Sequence, residues 1–77
     1  MNDLDFIIKD SKEIGNFIKN QRKGMNVTQD ELASFAGLSR IGVVKLEKEE
    51  GDIKLSTLIK VMGLLGFDIV LRKRTNK

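Results

Sequence analysis

An all-α fold is predicted by three observations: apolar residues recur at helical spacing, helix-start signals precede these runs, and proline is absent from all 77 residues. Asp10 followed by Glu13 fits a capping box, with the aspartate as N-cap. Ile14, Phe17 and Ile18 then fall on one face of a first helix, which Gly24 is placed to end. The segment Val27-Thr28-Gln29-Asp30-Glu31-Leu32 starts a second helix more strongly. Thr28 caps it, Glu31 reaches back, and Val27 staples against Leu32. This helix runs to about Ala36, where Gly37 breaks it. Ser39 caps a third helix over about 40–48, with Leu38 stapled to Val43. Glu49-Glu50-Gly51-Asp52 reads as a loop. A fourth helix runs from about Ser56 to Leu65, with Gly66 as its stop. Its apolar residues cover more than one face, so burial on more than one side is expected.

Phe67-Asp68-Ile69-Val70-Leu71-Arg72 departs from this pattern. It is rich in β-formers, and Phe67, Ile69 and Leu71 share one face if extended. A lone strand leaves its backbone groups unpaired, so it requires a partner strand. The same segment of a second chain, across a two-fold axis, supplies one. Two alternatives stay open: an extension of the fourth helix, or pairing with Phe6-Ile7-Ile8 of the same or the partner chain. The expected division is therefore a helical domain over 1–66 and a dimerising strand with basic tail over 67–77. Phe67, Ile69, Val70 and Leu71 are the expected dimer contacts.

Composition narrows the function. A core of this length gives marginal stability. Without cysteine no disulfide or thiolate site adds to it, and a partner chain is the remaining source. Histidine is absent too, which removes the commonest metal ligand and catalytic base. No carboxylate pair, Ser-Lys arrangement, phosphate-cradling glycine loop or metal cluster stands out, so no catalytic, cofactor or metal site is expected. The net charge of +3 is unevenly spread. Residues 1–13 carry −2, 14–48 carry +3, 49–71 carry −2 and 72–77 carry +4. Basic stretches between acidic ones fit a nucleic-acid partner, and fit ordinary surface charge as well. No apolar run approaches the roughly 20 residues of a membrane span. The start of the chain, with Asp3 and Asp5, is unlike a signal peptide, so a cytoplasmic location is expected.

The informative spacing lies in residues 28–48. Ala33 sits where the second helix must pass close to the third, and Gly37 permits the turn between them. Leu32, Leu38, Val43 and Leu46 supply the buried contacts. Together these residues make a helix-turn-helix. Thr28-Gln29-Asp30-Glu31-Leu32-Ala33, Gly37-Leu38-Ser39-Arg40, Val43 and Leu46-Glu47 resemble the Cro and phage-repressor (XRE) type of this motif, a likeness running from about Ile14 to Leu65. The longer pattern is similar to HipB-type antitoxins. Ile14-Gly15-Asn16-Phe17-Ile18 leads into Gln21-Arg22-Lys23, and Gly66-Phe67-Asp68-Ile69-Val70-Leu71-Arg72 follows the fourth helix.

The resemblance implies a four- to five-helix lambda-repressor-like domain with a short C-terminal strand pairing across a homodimer. It implies a repressor that binds a palindromic operator in double-stranded DNA and also binds a HipA-like kinase toxin. It further implies roles for individual residues. Gln29 and Ser39, at helix N-termini, meet phosphates, since free N–H groups point there. The first turns of the third helix enter the major groove. Arg40 reads a base, its fork matching guanine O6 and N7, and Lys45 is the second contact. Ile41 and Val44 press on thymine methyl groups, with packing an equal reading for Val44. Lys48 holds a phosphate. Arg22 pairs with Glu47, tying the first helix to the third. Phe35 either covers the edge of the second helix or meets a protein partner. Gly42 either permits close approach to DNA or only loosens its helix, and the acids Glu49, Glu50 and Asp52 are expected to face away from phosphate.

Two other functions compete. One is a stand-alone regulator of the same fold, of phage type or controlling a restriction system. The other is a protein-interaction module that has lost DNA binding, to which Gly42, Ile41 and Val44 give some support.

Overall fold

A computed structural model describes residues 5–75 as four helices. They are α1 (Ser11–Gly24), α2 (Gln29–Ala36), α3 (Arg40–Lys48) and α4 (Leu55–Leu64). Residues 1–4 and 76–77, the outer ends of the two expected ranges and Asp3 with them, lie outside the described residues.

Three of the four starts carry the side-chain cap that the sequence predicts, although the box expected at α1 is only half made, since the Glu13 carboxylate accepts from Lys9 N–H at 2.7 Å and not from Asp10. Asp10 Oδ1 accepts from the Glu13 N–H at 2.9 Å. At α2 the capping box is complete: Thr28 Oγ1 accepts from Glu31 N–H at 3.0 Å, and Glu31 Oε1 from Thr28 N–H at 2.9 Å. Ser39 Oγ accepts from Gly42 N–H at 3.0 Å. The fourth helix begins one residue early, with Lys54 at the N-cap and no side-chain bond.

All four helices end alike. A residue with positive φ follows each helix, at Asn26 (59°), Gly37 (70°), Glu49 (63°) and Gly66 (88°). The next N–H then bonds back five residues: Val27 to Arg22, Leu38 to Ala33, Glu50 to Lys45 and Phe67 to Met62. This is the left-handed close that satisfies the last carbonyls of a helix. Gly37 and Gly66 enter this region without a Cβ penalty. Gly24, expected to end α1, stays inside it, and Asn26 makes the turn two residues later. Asparagine tolerates the left-handed region better than most residues.

The close at Gly66 excludes the reading of residues 67–72 as an extension of α4. Among the described residues no strand forms. Within one chain, segment 67–72 has no partner ladder, either from Phe6-Ile7-Ile8 or elsewhere. Phe6 does meet the segment, but through its ring. Phe6, Phe17 and Phe67 form a cluster with centroids 4.8–5.8 Å apart. Edge-on and tilted rings at such distances attract beyond their buried area. Beyond Phe67 the side chains turn out to solvent, and Leu71 is 95% exposed.

The core joins Ile18 of α1, Leu32, Ala33 and Ala36 of α2, Val43 of α3, and Val61, Met62 and Leu65 at the end of α4. Helix α3 packs on α1 and α2, and α4 packs on α2. Burial of α4 on more than one side is not found in the single chain. Val61 and Met62 are buried, whereas Leu55 and Ile59 are more than half exposed and Leu64 is exposed too. The α1–α3 approach is the tightest. A Cβ on Gly15 would stand 2.6 Å from the Glu47 carbonyl oxygen, so only glycine lets the two backbones meet there.

Candidate nucleic-acid interface

The geometry of α3 is set from behind. Arg22 and Glu47 are both buried, their side chains 8% and 3% exposed. Arg22 Nε donates to Glu47 Oε2 at 2.6 Å and its Nη2 donates to Oε1 at 3.1 Å. This is a two-point fork, the stronger form of charge-assisted hydrogen bond. The remaining Arg22 nitrogen, Nη1, donates to the Val27 carbonyl at 2.8 Å. Gln29 Nε2 also donates to Glu47 Oε1, at 3.2 Å. One carboxylate therefore ties α1, the α1–α2 turn and the start of α2 to the end of α3. No buried side-chain polar atom among the described residues lacks a partner.

With Val43 and Glu47 turned inward, the opposite side of α3 faces solvent. Arg40, Ile41, Lys45 and Lys48 are exposed there, and Val44 is half-buried at their edge. Ile41 is 67% exposed. Arg40 Nε lies 3.8 Å from Asp30 Oδ1, with both side chains exposed. Such a loose surface pair holds Arg40 weakly and leaves its fork available. An added Cβ on Gly42 would stand 3.3 Å from Ser39 Oγ and 3.7 Å from Leu38 Cβ. A side chain at Gly42 would therefore crowd the capping turn.

Gln29 and Ser39 stand at the N-termini of α2 and α3. First-turn N–H groups have no intrahelical acceptor, so an outside anion can use them. One N–H of the Gln29 amide is engaged with Glu47, which leaves its second N–H and the backbone N–H as donors to an outside anion. Glu49 departs from expectation. It does not face away from the basic surface but lines a cleft beside Lys48, because its left-handed backbone turns the chain back over the end of α3. The Ser11 hydroxyl donates to its carboxylate.

The same cleft brings in three residues that the sequence reading did not single out: Lys12, Asn16 and Lys19 of α1. Their spacing of four and three was the available signal, since it puts them on one helical face. Phe35 is 62% exposed and adds little to the packing of α2. No described helix is long and apolar enough to cross a membrane.

Comparison with known proteins agrees with this architecture. Residues 18–71 match the helix-turn-helix family. The control protein C.SmaI of Serratia marcescens is 37% identical over 60 residues, 77% of this chain and 71% of that protein. An uncharacterized HTH-type transcriptional regulator, y4mF of Sinorhizobium fredii, is 34% identical over 62 residues, 80% of this chain and 82% of the relative. Among solved structures, a chain of the HipA-HipB-O2-O3 complex superposes with a TM-score of 0.78, covering 90% of this chain and 97% of that one at 23% identity. A structure of FeII HppE with substrate superposes at 0.70 and 25% identity, over 77% of this chain but only 34% of the other. The match over most of the chain, a capped α2–turn–α3 unit and two regulator relatives lead to one conclusion: this chain belongs to the helix-turn-helix family of the XRE type and is a non-enzymatic DNA-binding regulator.

Proposed function

We propose that the protein is a dimeric, sequence-specific repressor that inserts the outer face of α3 into the major groove. The observation that carries this reading is the exposed row Arg40, Ile41, Lys45 and Lys48 on a helix locked from behind by the buried Arg22–Glu47 pair. Arg40 reads a guanine and Lys45 makes the second base contact, with Ile41 and Val44 against thymine methyls. Gln29, Ser39 and Lys48 hold phosphates and carry no sequence information. Two copies read half-sites one DNA turn apart, so the operator is palindromic. The dimer forms through the 67–77 region, where Ile69, Val70 and Leu71 stand exposed on one chain. The exposed Leu55, Ile59 and Leu64 of α4 fit the same need for a partner chain.

The finer role is that of a HipB-like antitoxin, repressing its own operon and binding a HipA-like kinase. The sequence pattern around Gly15 and after Gly66 supports it, as does the likeness to a chain of the HipA-HipB-O2-O3 complex. A stand-alone controller is the second reading, favoured by the similarity to C.SmaI. A kinase-type gene beside this one, whose product copurifies with the chain, decides for the antitoxin.

The test is a titration of the chain's own upstream region against a scrambled duplex at near-physiological salt. A preference of about 10³ or more is expected. Arg40→Ala should lose about 1–3 kcal/mol on the operator and relax specificity at one base position. Equal weakening on both duplexes would make Arg40 a phosphate contact. No preference by the wild-type chain would leave a protein-interaction module. Removing residues 69–77, which spares Phe67, should shift the sedimenting species from dimer toward monomer at micromolar concentration. A truncated chain that remains dimeric places the interface on α4 alone.

A further inference from the structure

Two parts of the chain have no task on the DNA-facing surface: segment 5–9 and the three consecutive cations Arg72, Lys73 and Arg74. The Phe6 ring lies 5.8 Å from the Phe67 ring. Asp5 and Asp68, each next to one of these rings in sequence, are thereby gathered at the start of segment 67–74. Its far end is cationic. Between the two ends Ile69, Val70 and Leu71 are 45%, 78% and 95% exposed. Neither ion pair found among the described residues involves Asp5, Asp68 or the three cations, all of which are exposed. No backbone–backbone hydrogen bond among the described residues involves 68–74. A segment with an acidic start, an apolar middle and a basic end is complementary to an antiparallel copy of itself.

We propose that segment 5–9 is a docking site for a second copy of this chain, where Asp5, together with Asp68, holds the cationic end of the partner's 67–74 segment. This deepens the dimer reading and rests on it. A two-fold axis through an antiparallel ribbon sets residues of equal parity opposite each other, so the register has few choices. Centred on Val70, it pairs Ile69 with the partner's Leu71 and Asp68 with the partner's Arg72, each twice. Centring on Ile69 sets Asp68 against Val70, and centring on Leu71 sets Ile69 against Lys73. Only the Val70 register matches apolar with apolar and acid with base. It also brings the partner's Lys73 and Arg74 beside Phe67, where Asp5 and Phe6 stand. The Phe6 ring is 54% exposed and offers a face to a guanidinium or a lysine stem. Each exposed ion pair is weak alone, but symmetry makes every one of them count twice.

A charge swap in the full chain, without DNA, tests the contact. One variant carries Asp5→Lys with Asp68→Lys, and the other carries Arg72→Glu, Lys73→Glu and Arg74→Glu. All five positions are exposed, so both variants should keep the wild-type helical spectrum and melting midpoint. Sedimentation equilibrium at low salt should show each variant alone dimerising about tenfold more weakly than wild type, since like charges now meet. An equimolar mixture should recover wild-type association, because each copy then offers the charge that the other lacks. At about 1 M salt, where the screening length falls to about 3 Å, the differences should shrink. Variants that dimerise as wild type does overturn the contact and leave the dimer reading intact. Weakened variants that mixing fails to rescue overturn it as well, since their charges then act within one chain. A wild-type chain that stays monomeric overturns both.

Discussion

Glu47→Ala is expected to unfold the domain at or near ambient temperature. The carboxylate takes two hydrogen bonds from Arg22 and one from Gln29. Its removal leaves the Arg22 guanidinium buried with only the Val27 carbonyl as acceptor. Removing one partner of a buried ion pair costs about 3–5 kcal/mol, mostly through the uncompensated charge left behind. A domain of this length rarely has more than that from its core. A circular-dichroism melt measures the loss directly. A midpoint corresponding to less than about 1 kcal/mol would mean that water reaches Arg22 and relieves it. Removing both charges is a different change. Arg22→Met with Glu47→Leu should refold, since an apolar pair of similar volume is often neutral or better than the ion pair. That variant should still bind DNA less well, because Gln29 no longer has Glu47 to hold it at the start of α2.

Gly15→Val should also destabilise, by the upper end of the roughly 1–3 kcal/mol seen for overpacked cores. The obstacle is backbone, the Glu47 carbonyl oxygen at 2.6 Å from the added Cβ, which cannot swing aside as a side chain would. Helix propensity alone predicts the opposite sign, since glycine is the weaker helix former. Gly63→Ala in α4 is the matched control. Nothing lies within 4 Å of a Cβ there, so propensity should prevail and stability rise by about 1 kcal/mol. Denaturant midpoints for the two variants should therefore move in opposite directions. A stabilised Gly15 variant would show that α1 and α3 can separate without loss.

What could be read in advance follows the range of the forces involved. The caps at Asp10, Thr28 and Ser39 depend on residues three apart, and the turn at Gly37 on one backbone angle; all were legible. The pairing of Arg22 with Glu47 came from a family pattern and not from local chemistry. The cleft of Lys12, Asn16 and Lys19 was missed because it depends on how α1 crosses α3. That crossing is fixed by Gly15, whose meaning shows only when the Glu47 carbonyl arrives opposite it. The burial of α4 was overestimated for a related reason. An apolar face in sequence carries no mark of whether its own chain or another one covers it. The strand expected over 67–72 is the same case, since its proposed partner is a second copy.

The ring cluster bears on the order of assembly and release. Arg22 and Glu47 close a loop of 25 residues, whereas Phe17 and Phe67 close one of 67 − 17 = 50. Doubling a loop adds about 0.6 kcal/mol of closure entropy, a small term by itself. The difference matters because the later contact is a three-ring cluster at the edge of the core, and Phe6 within it is more than half exposed. The helix-turn-helix can thus be complete while the last segment is still undocked, and on heating or pulling that segment detaches first. The part of the chain that would join two copies is then the part its own domain grips least, so pairing and docking of residues 67–72 are set together by how firmly one phenylalanine sits on α1.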